Sequence, residues 1–234
     1  MSNFYDEILT YLKENRVSTT EVADALGKSG VIDDLIPIND NQYKVGKVKC
    51  IFTAFESNYD IHEQIKEVQK GDVVLVFEHE CKGRALFGEL VTKYLLLYRG
   101  ANAVIVNGKI RDYAAIKREG FSIWARGRSP LGCFNQKAAP FPIERANVLQ
   151  KMYENGIAIC DDGGVVVIPQ DRINEEMLDC LKRVEMKEDI WFFCLDLLKW
   201  DTKKIVCDKA YLNETELLSS IHLDRLKEVS KSLD

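Results

Sequence analysis

The chain has 234 residues and a formal net charge of -5, with 46% apolar and 29% charged residues. That is enough chain to bury a substantial core, as one large domain or one domain with appendages, and its composition is that of a globular protein rather than a disordered one. Lys and Arg are scattered among Asp and Glu rather than gathered in a basic block, which argues against nucleic acid as a direct ligand.

The N-terminal MSNFYDEILTYLKENR is charged and carries Phe4, Ile8, Leu9 and Leu12 at helical spacing, so an amphipathic helix is expected there rather than a signal peptide. In STTEVADALGKSG, Ser18 or Thr19 can cap a second helix, Glu21 lies in its first turn, and Gly27 or Gly30 can end it. GKVKCIFTAF then alternates as a strand, and DIHEQIKEV reads as a short helix. KGDVVLVF is a Gly-Asp turn leading into a continuous Val/Leu run of the buried-strand type. Between it and AVIVNG lies GRALFGELVTKYLLLYRG, expected as a helix of several turns. Strand, helix, strand is a crossover unit, whose two strands are expected as parallel neighbours.

A short helix at DYAAIKREG and a strand at FSIWARG continue the pattern, followed by a looser stretch over 128–150. GIAICDDGGVVVIP reads as two strands around an Asp-Asp-Gly-Gly turn. From QDRINEEMLDCLKRVEMKEDIWFFCLDLLKW onward the chain is expected to be mostly helical, ending in an amphipathic helix over 214–230 that carries Leu217, Leu218, Ile221, Leu226 and Val229. No apolar run approaches the roughly 18 residues of a membrane span, so a soluble, cytoplasmic protein is expected. Seven cysteines occur without any C-x-x-C pair and read as reduced thiols, with Cys160 structural rather than nucleophilic.

Periodicity alone supports an α/β fold with some parallel pairing. In such sheets ligands collect beyond the carboxyl ends of the strands. Two segments meet that condition together: FGEL, after VVLVF, and KIRD, after AVIVNG. Arg111 offers a planar fork suited to a carboxylate, and Asp112 and Glu89 are hard oxygen ligands of the kind Mg²⁺ or Mn²⁺ accepts. The set suits a small anionic oxo acid. A lone Arg-Asp dipeptide is by itself more often a pair of residues in surface ion pairs with other partners.

The segments TTEVADALGKSG, GKVKCIFTAF, KGDVVLVF, ALFGELVTKYLLLYRGANAVIVNGKIRD, FSIWARGRSPLG and DDGGVVVIP occur in the order and with roughly the spacing of the RraA-like family, which the chain resembles over about residues 18–190. The GEL, RG and NGxxRD block is the most specific part. That family includes the regulator of ribonuclease E activity and divalent-metal-dependent hydroxymethyl-oxoglutarate aldolases. The resemblance implies a swivelling β/β/α layered domain over 18–190, preceded by a helix over 1–17 and followed by a helical extension over 191–234. It also implies a homotrimer or a dimer of trimers with active sites between subunits.

In the aldolase branch, the resemblance gives Arg111 the pyruvate carboxylate and Asp112 the metal, directly or through its waters. Backbone amides of Gly88, Glu89, Leu90 and Val91 contact substrate, and Glu89 is the acid/base. A glutamate from a neighbouring subunit corresponds best to Glu188, then to Glu185. The implied activity is carbon–carbon cleavage of pyruvate-type 2-oxo acids, by retro-aldol reaction or oxaloacetate decarboxylation, with Mg²⁺ or Mn²⁺. A non-catalytic regulator that binds protein partners is the other reading. No glycine-rich loop suited to S-adenosylmethionine follows the first strand.

The chain departs from the family in three places. The segment from Glu89 to Arg99-Gly100 is one residue longer than usual. FEHECKGR replaces an Asp- and Gly-rich segment, and its Glu78, His79 and Glu80 read either as further metal ligands or as an exposed loop. Trp191, Phe192 and Phe193 lie past the alignable core and suit packing within or between subunits.

Overall fold

The computed structural model describes residues 4–230, except for the side chains of Arg225, Leu226 and residues 228–230. Two compact units result, Met1–Asn174 and Glu175–Asp234. The first begins with α1 (Phe4–Asn15), which buries Ile8 and Leu12, and α2 (Thr19–Ala25). Ser18 caps α2 in a reciprocal box, its hydroxyl accepting from the Glu21 amide while the Glu21 carboxylate accepts from the Ser18 amide. A two-residue β1 (Ile36–Pro37), not expected from the sequence, precedes the long β2 (Lys44–Ala54).

There follow α3 (Tyr59–Gln64), β3 (Val73–His79), α4 (Glu89–Lys93), β4 (Ala103–Ile110), α5 (Tyr113–Arg118) and β5 (Ile123–Arg128). Then come α6 (Ile143–Tyr153) and the hairpin of β6 (Ile157–Asp161) and β7 (Gly164–Ile168), turning at the Asp-Asp-Gly-Gly segment. Helix α6 occupies part of the stretch expected to be loose. Only Ala146 of its residues is buried, which leaves little apolar periodicity to read.

Among the described residues the strands form one seven-stranded sheet in the order β1-β5-β4-β3-β2-β6-β7. Strands β2, β3, β4 and β5 are parallel neighbours, and β1, β6 and β7 join antiparallel. Strand β2 serves two partners in succession: Lys44–Lys47 pair with β6, and Val48–Ala54 pair with β3. The chain therefore passes from a hairpin layer into the parallel layer within one strand, as a β/β/α arrangement requires.

Alternation along each parallel strand fills two cores. Val74, Val76, Val104, Val106, Ile123 and Ala125 face a core closed by Ile61, Val91, Leu95 and Ile116 from the helices. Val73, Leu75, Phe77, Ala103, Ile105 and Trp124 face the opposite core, closed by Ala158, Cys160, Val165 and Val167 of the hairpin and by Ala146 of α6. Burial on both faces explains why β3 and β4 read as continuous apolar runs rather than alternating ones.

The second unit holds α7 (Glu175–Asp196) and α8 (Ser220–Ser230). The boundary expected at residue 190 falls inside α7, which runs unbroken from Glu175, so the division lies at its start. Ile190, Cys194, Ile205, Tyr211 and Leu218 form a small core, with Trp191 and Phe193 packed against it and Phe192 exposed. The final helix is shorter than expected: Leu218 is buried before it starts, Leu217 and Ile221 are exposed, and the Leu226 and Val229 side chains lie outside the described residues.

Trp124 is fully buried, and its indole N–H donates to the Asp161 carbonyl at 2.8 Å, joining the parallel layer to the hairpin. The Asp161 carboxylate in turn accepts from the Thr19 amide and hydroxyl. Trp124→Ala opens a cavity and removes the donor to the Asp161 carbonyl, and is expected to destabilise the first unit by about 3–5 kcal/mol, read from urea denaturation.

Candidate active site

The carboxyl ends of β3, β4 and β5 lie together, and the chain leaving β3 folds back over the end of β4. A turn at Lys82–Gly83 leads into a non-helical loop over 84–88 rather than into the first turns of a helix, because Ala85 and Leu86 pair with neighbouring strand ends. Leu86 donates its amide to the Lys109 carbonyl at 2.9 Å, and Arg111 donates its amide to the Phe87 carbonyl at 3.0 Å. A register shift between Val106 and Lys109 bulges β4 against β5 just before the site.

Two residues beyond β4, Asp112 adopts the left-handed conformation (φ 57°, ψ 31°), which Asp tolerates better than most side chains. The chain turns there into α5. The Asp112 carboxylate lies against the backbone of Gly88, with Oδ2 accepting from the Glu89 amide at 3.1 Å. A Cβ on Gly88 would fall 2.0 Å from that oxygen and 2.8 Å from Cγ of Arg111, so only glycine fits. Arg111 in turn crosses Gly132, where a Cβ would come within 2.9 Å of Nη1. The Arg111 and Asp112 side chains remain 52% and 44% exposed, with Nε to Oδ2 at 3.7 Å, so each keeps a face open to solvent.

Of the residues expected at the site, Arg111, Asp112, Gly88 and Glu89 converge. Glu89 is the first residue of α4 and its carboxylate makes no hydrogen bond or ion pair with a described residue. The Leu90 side chain is 79% exposed and that of Val91 is buried in the core, so at those two positions only the backbone faces the turn. Glu185 and Glu188 belong to α7 in the second unit, half-buried and engaged in interactions of their own.

The segment between Glu89 and Arg99 closes with a wider turn than an α-helix has. Tyr94–Tyr98 form a π-turn continuing α4, with the Arg99 amide donating to the Tyr94 carbonyl at 2.9 Å. A π-turn holds one residue more than an α-turn, which is how a helix accepts a single insertion.

The loop after β3 divides its polar groups. Glu78 accepts from the Cys81 amide, and His79 meets Nη1 of Arg145 at 2.8 Å through Nδ1, between the rings of Phe55 and Phe141. Arginine can only donate, so Nδ1 accepts and the ring proton sits on Nε2. The reading of Glu78, His79 and Glu80 as a ligand set is overturned. Among the described residues no group of three or more His, Cys, Asp or Glu side chains could hold a metal. Cys160 is fully buried, and burial pushes its thiol far above the usual range, in keeping with a structural role.

A cleft of about 290 Å³ opens beside the pair, lined by Arg111, Asp112, Tyr113, Arg128 and Ser129 among others. Sequence reading assigned no role to the last three residues just named, although the end of β5 must lie beside the end of β4 once the two strands are parallel neighbours.

The sequence model of the RraA-like family, described as Aldolase/RraA, matches residues 19–167. The chain belongs to the RraA-like family. A Halalkalibacterium halodurans protein described as "Putative 4-hydroxy-4-methyl-2-oxoglutarate aldolase" is 27% identical over 184 residues, spanning 74% of this chain and 82% of the relative. A Shewanella oneidensis protein with the same description is 31% identical over 127 residues, or 51% of this chain and 74% of that one. Among solved structures, Streptomyces coelicolor RraAS2, titled an unusual member of the RNase ES inhibitor RraA protein family, superposes with a TM-score of 0.60 at 21% identity, covering 78% of this chain and 94% of that one. The α/β architecture is thus the RraA-like one. No helix among the described residues is long and apolar enough to cross a membrane.

Gly88→Ala is expected to push the Asp112 carboxylate off the Glu89 amide and to cost about 1–3 kcal/mol of stability. In chemical denaturation, adding Asp112→Ala to Gly88→Ala should return part of that loss, because the closest clash is then gone.

Proposed function

We propose that the protein is a divalent-metal-dependent carbon–carbon lyase acting on pyruvate-type 2-oxo acids, by retro-aldol cleavage of 4-hydroxy-4-methyl-2-oxoglutarate-like substrates or by oxaloacetate decarboxylation. The observation that carries this is the oriented Asp112 carboxylate beside the open guanidinium of Arg111, at the strand edge next to the carboxylate of Glu89, which has no partner among the described residues. The names of the two bacterial relatives support the same reading.

The donor set fits Mg²⁺ or Mn²⁺. Such ions keep several waters and take one or two carboxylates plus substrate oxygens. Asp112, its Oδ1 free of hydrogen bonds to described residues, would hold the cation, with Glu89 near its waters. When bound, the ion supplies Lewis acidity at the oxo acid.

The chain's own residues do the rest. Arg111 binds the substrate carboxylate through its fork and adds positive charge beside the developing enolate. The amides of the turn from Gly88 to Val91 orient the oxo acid. Glu89 takes the proton of the C4 hydroxyl as the carbon–carbon bond breaks in the retro-aldol direction. No Schiff-base lysine is needed.

Assembly as a homotrimer or hexamer belongs to the same proposal, with Glu188, or else Glu185, supplied by a neighbouring subunit. Leu90, Leu97 and Tyr98 leave apolar surface exposed on and after α4, which suits a second copy. The same surface favours a second reading, a protein-binding regulator without turnover.

Pyruvate release is measured from 4-hydroxy-4-methyl-2-oxoglutarate and oxaloacetate with Mg²⁺, with Mn²⁺ and with EDTA, alongside light scattering for the assembly. Expected are turnover that EDTA abolishes and a loss of about 100-fold or more in Arg111→Ala. Turnover indifferent to EDTA and to Asp112→Ala would sink the mechanism, and a stoichiometric protein partner without turnover would establish the regulator.

A further inference from the structure

The cleft beside Arg111 holds a second guanidinium whose place the mechanism above leaves unused. Arg128 ends β5 and is the register partner of Ile110, the residue before Arg111. Its Cζ lies 4.5 Å from the ring centroid of Tyr113, the residue after Asp112. Beyond that stacking contact, it has no hydrogen bond or ion pair with any described residue. Arg128 is thus held by a cation–π contact that leaves its N–H fork free. The backbone around it is fixed too, since the Ser129 amide donates to the Ile110 carbonyl at 2.9 Å and the Ser129 hydroxyl accepts from the Leu131 amide.

The cleft wall accordingly presents two guanidiniums and one carboxylate, an excess of positive charge before any cation is counted. A monocarboxylate engaged by Arg111 leaves the Arg128 fork without an anionic partner among the described residues. Resting on the lyase reading above, we infer that Arg128 is a specificity-determining residue that binds the second carboxylate of a dicarboxylic 2-oxo acid, while Arg111 takes the carboxylate next to the oxo group.

The two reactions use that contact differently. In retro-aldol cleavage the C3–C4 bond breaks, the C4 hydroxyl proton leaves to the base, and the bonding electrons form the enolate of the pyruvate half. The distal carboxylate stays intact on the new carbonyl compound, so Arg128 holds it through the transition state. In oxaloacetate decarboxylation the distal carboxylate itself departs as neutral CO₂, its charge passing to the enolate. A guanidinium on that group stabilises the reactant more than the transition state. Arg128 therefore favours retro-aldol cleavage of a dicarboxylate over decarboxylation.

The test compares Arg128→Ala and Arg128→Lys with the unaltered protein in Mg²⁺ or Mn²⁺. For 4-hydroxy-4-methyl-2-oxoglutarate, Arg128→Ala should lower kcat/KM by roughly ten- to hundredfold, the range of a charged hydrogen bond, with partial rescue by lysine. For oxaloacetate, KM should rise while kcat holds or increases, and the inhibition constant of pyruvate should not change. Calorimetry adds a readout independent of turnover: 2-oxoglutarate, a dicarboxylate without the C4 hydroxyl, should bind more tightly than pyruvate, and Arg128→Ala should erase only that difference. Equal losses for pyruvate and the dicarboxylates, or no loss for any of them, overturn the inference. A protein that binds 2-oxoglutarate through Arg128 yet shows no metal-dependent turnover overturns the lyase reading and leaves this one standing.

Discussion

The constraint on which the rest depends is the burial of β3–β5 on both faces. Three parallel strands sealed between helices on one side and a hairpin with α6 on the other have little lateral surface on which to carry polar chemistry. Their charged side chains emerge toward the carboxyl ends. At the carboxyl edge the emerging loops must also satisfy the backbone groups that the strands no longer pair. Residues 85–88 meet that need by bonding along the end of β4 and by passing under Arg111. The same hydrogen bonds that complete the fold bring Gly88 and Glu89 against Asp112.

Local chemistry then sharpens the placement. The left-handed turn at Asp112 and the missing side chain at Gly88 are complementary: one sends the carboxylate into the space the other leaves empty. Neither works alone. Gly132 leaves comparable room under Arg111. The candidate site is thus a set of close approaches between backbone and charged side chains.

Much of this was legible in the sequence. The Val/Leu runs of β3 and β4 and the crossover between them mark parallel buried strands, and the Ser18–Glu21 pair and the Asp-Asp-Gly-Gly turn mark a helix start and a hairpin through local hydrogen bonding. Arg111 and Asp112 were readable because a strand end is where ligands gather. What was not legible depends on contacts between distant segments. Helix α6 has almost no buried face, and residues 84–88 stay out of the helix because β4 and the 131–133 segment are there to pair with them. His79 could not be settled as ligand or loop residue because its partner, Arg145, is far away in sequence. Arg128 went unassigned because its meaning comes from register with Ile110.

The π-turn at Tyr94–Tyr98 has an evolutionary consequence. A helix that takes up one residue as a local widening can gain or lose that residue in a single insertion or deletion, with the glycine turn before it and Arg99-Gly100 after it left in place. A single-residue deletion within Tyr94–Tyr98 would convert the wide turn to an α-turn while the Asp112–Glu89 contact before it and the Gly71–Gly100 hydrogen bond after it keep their places.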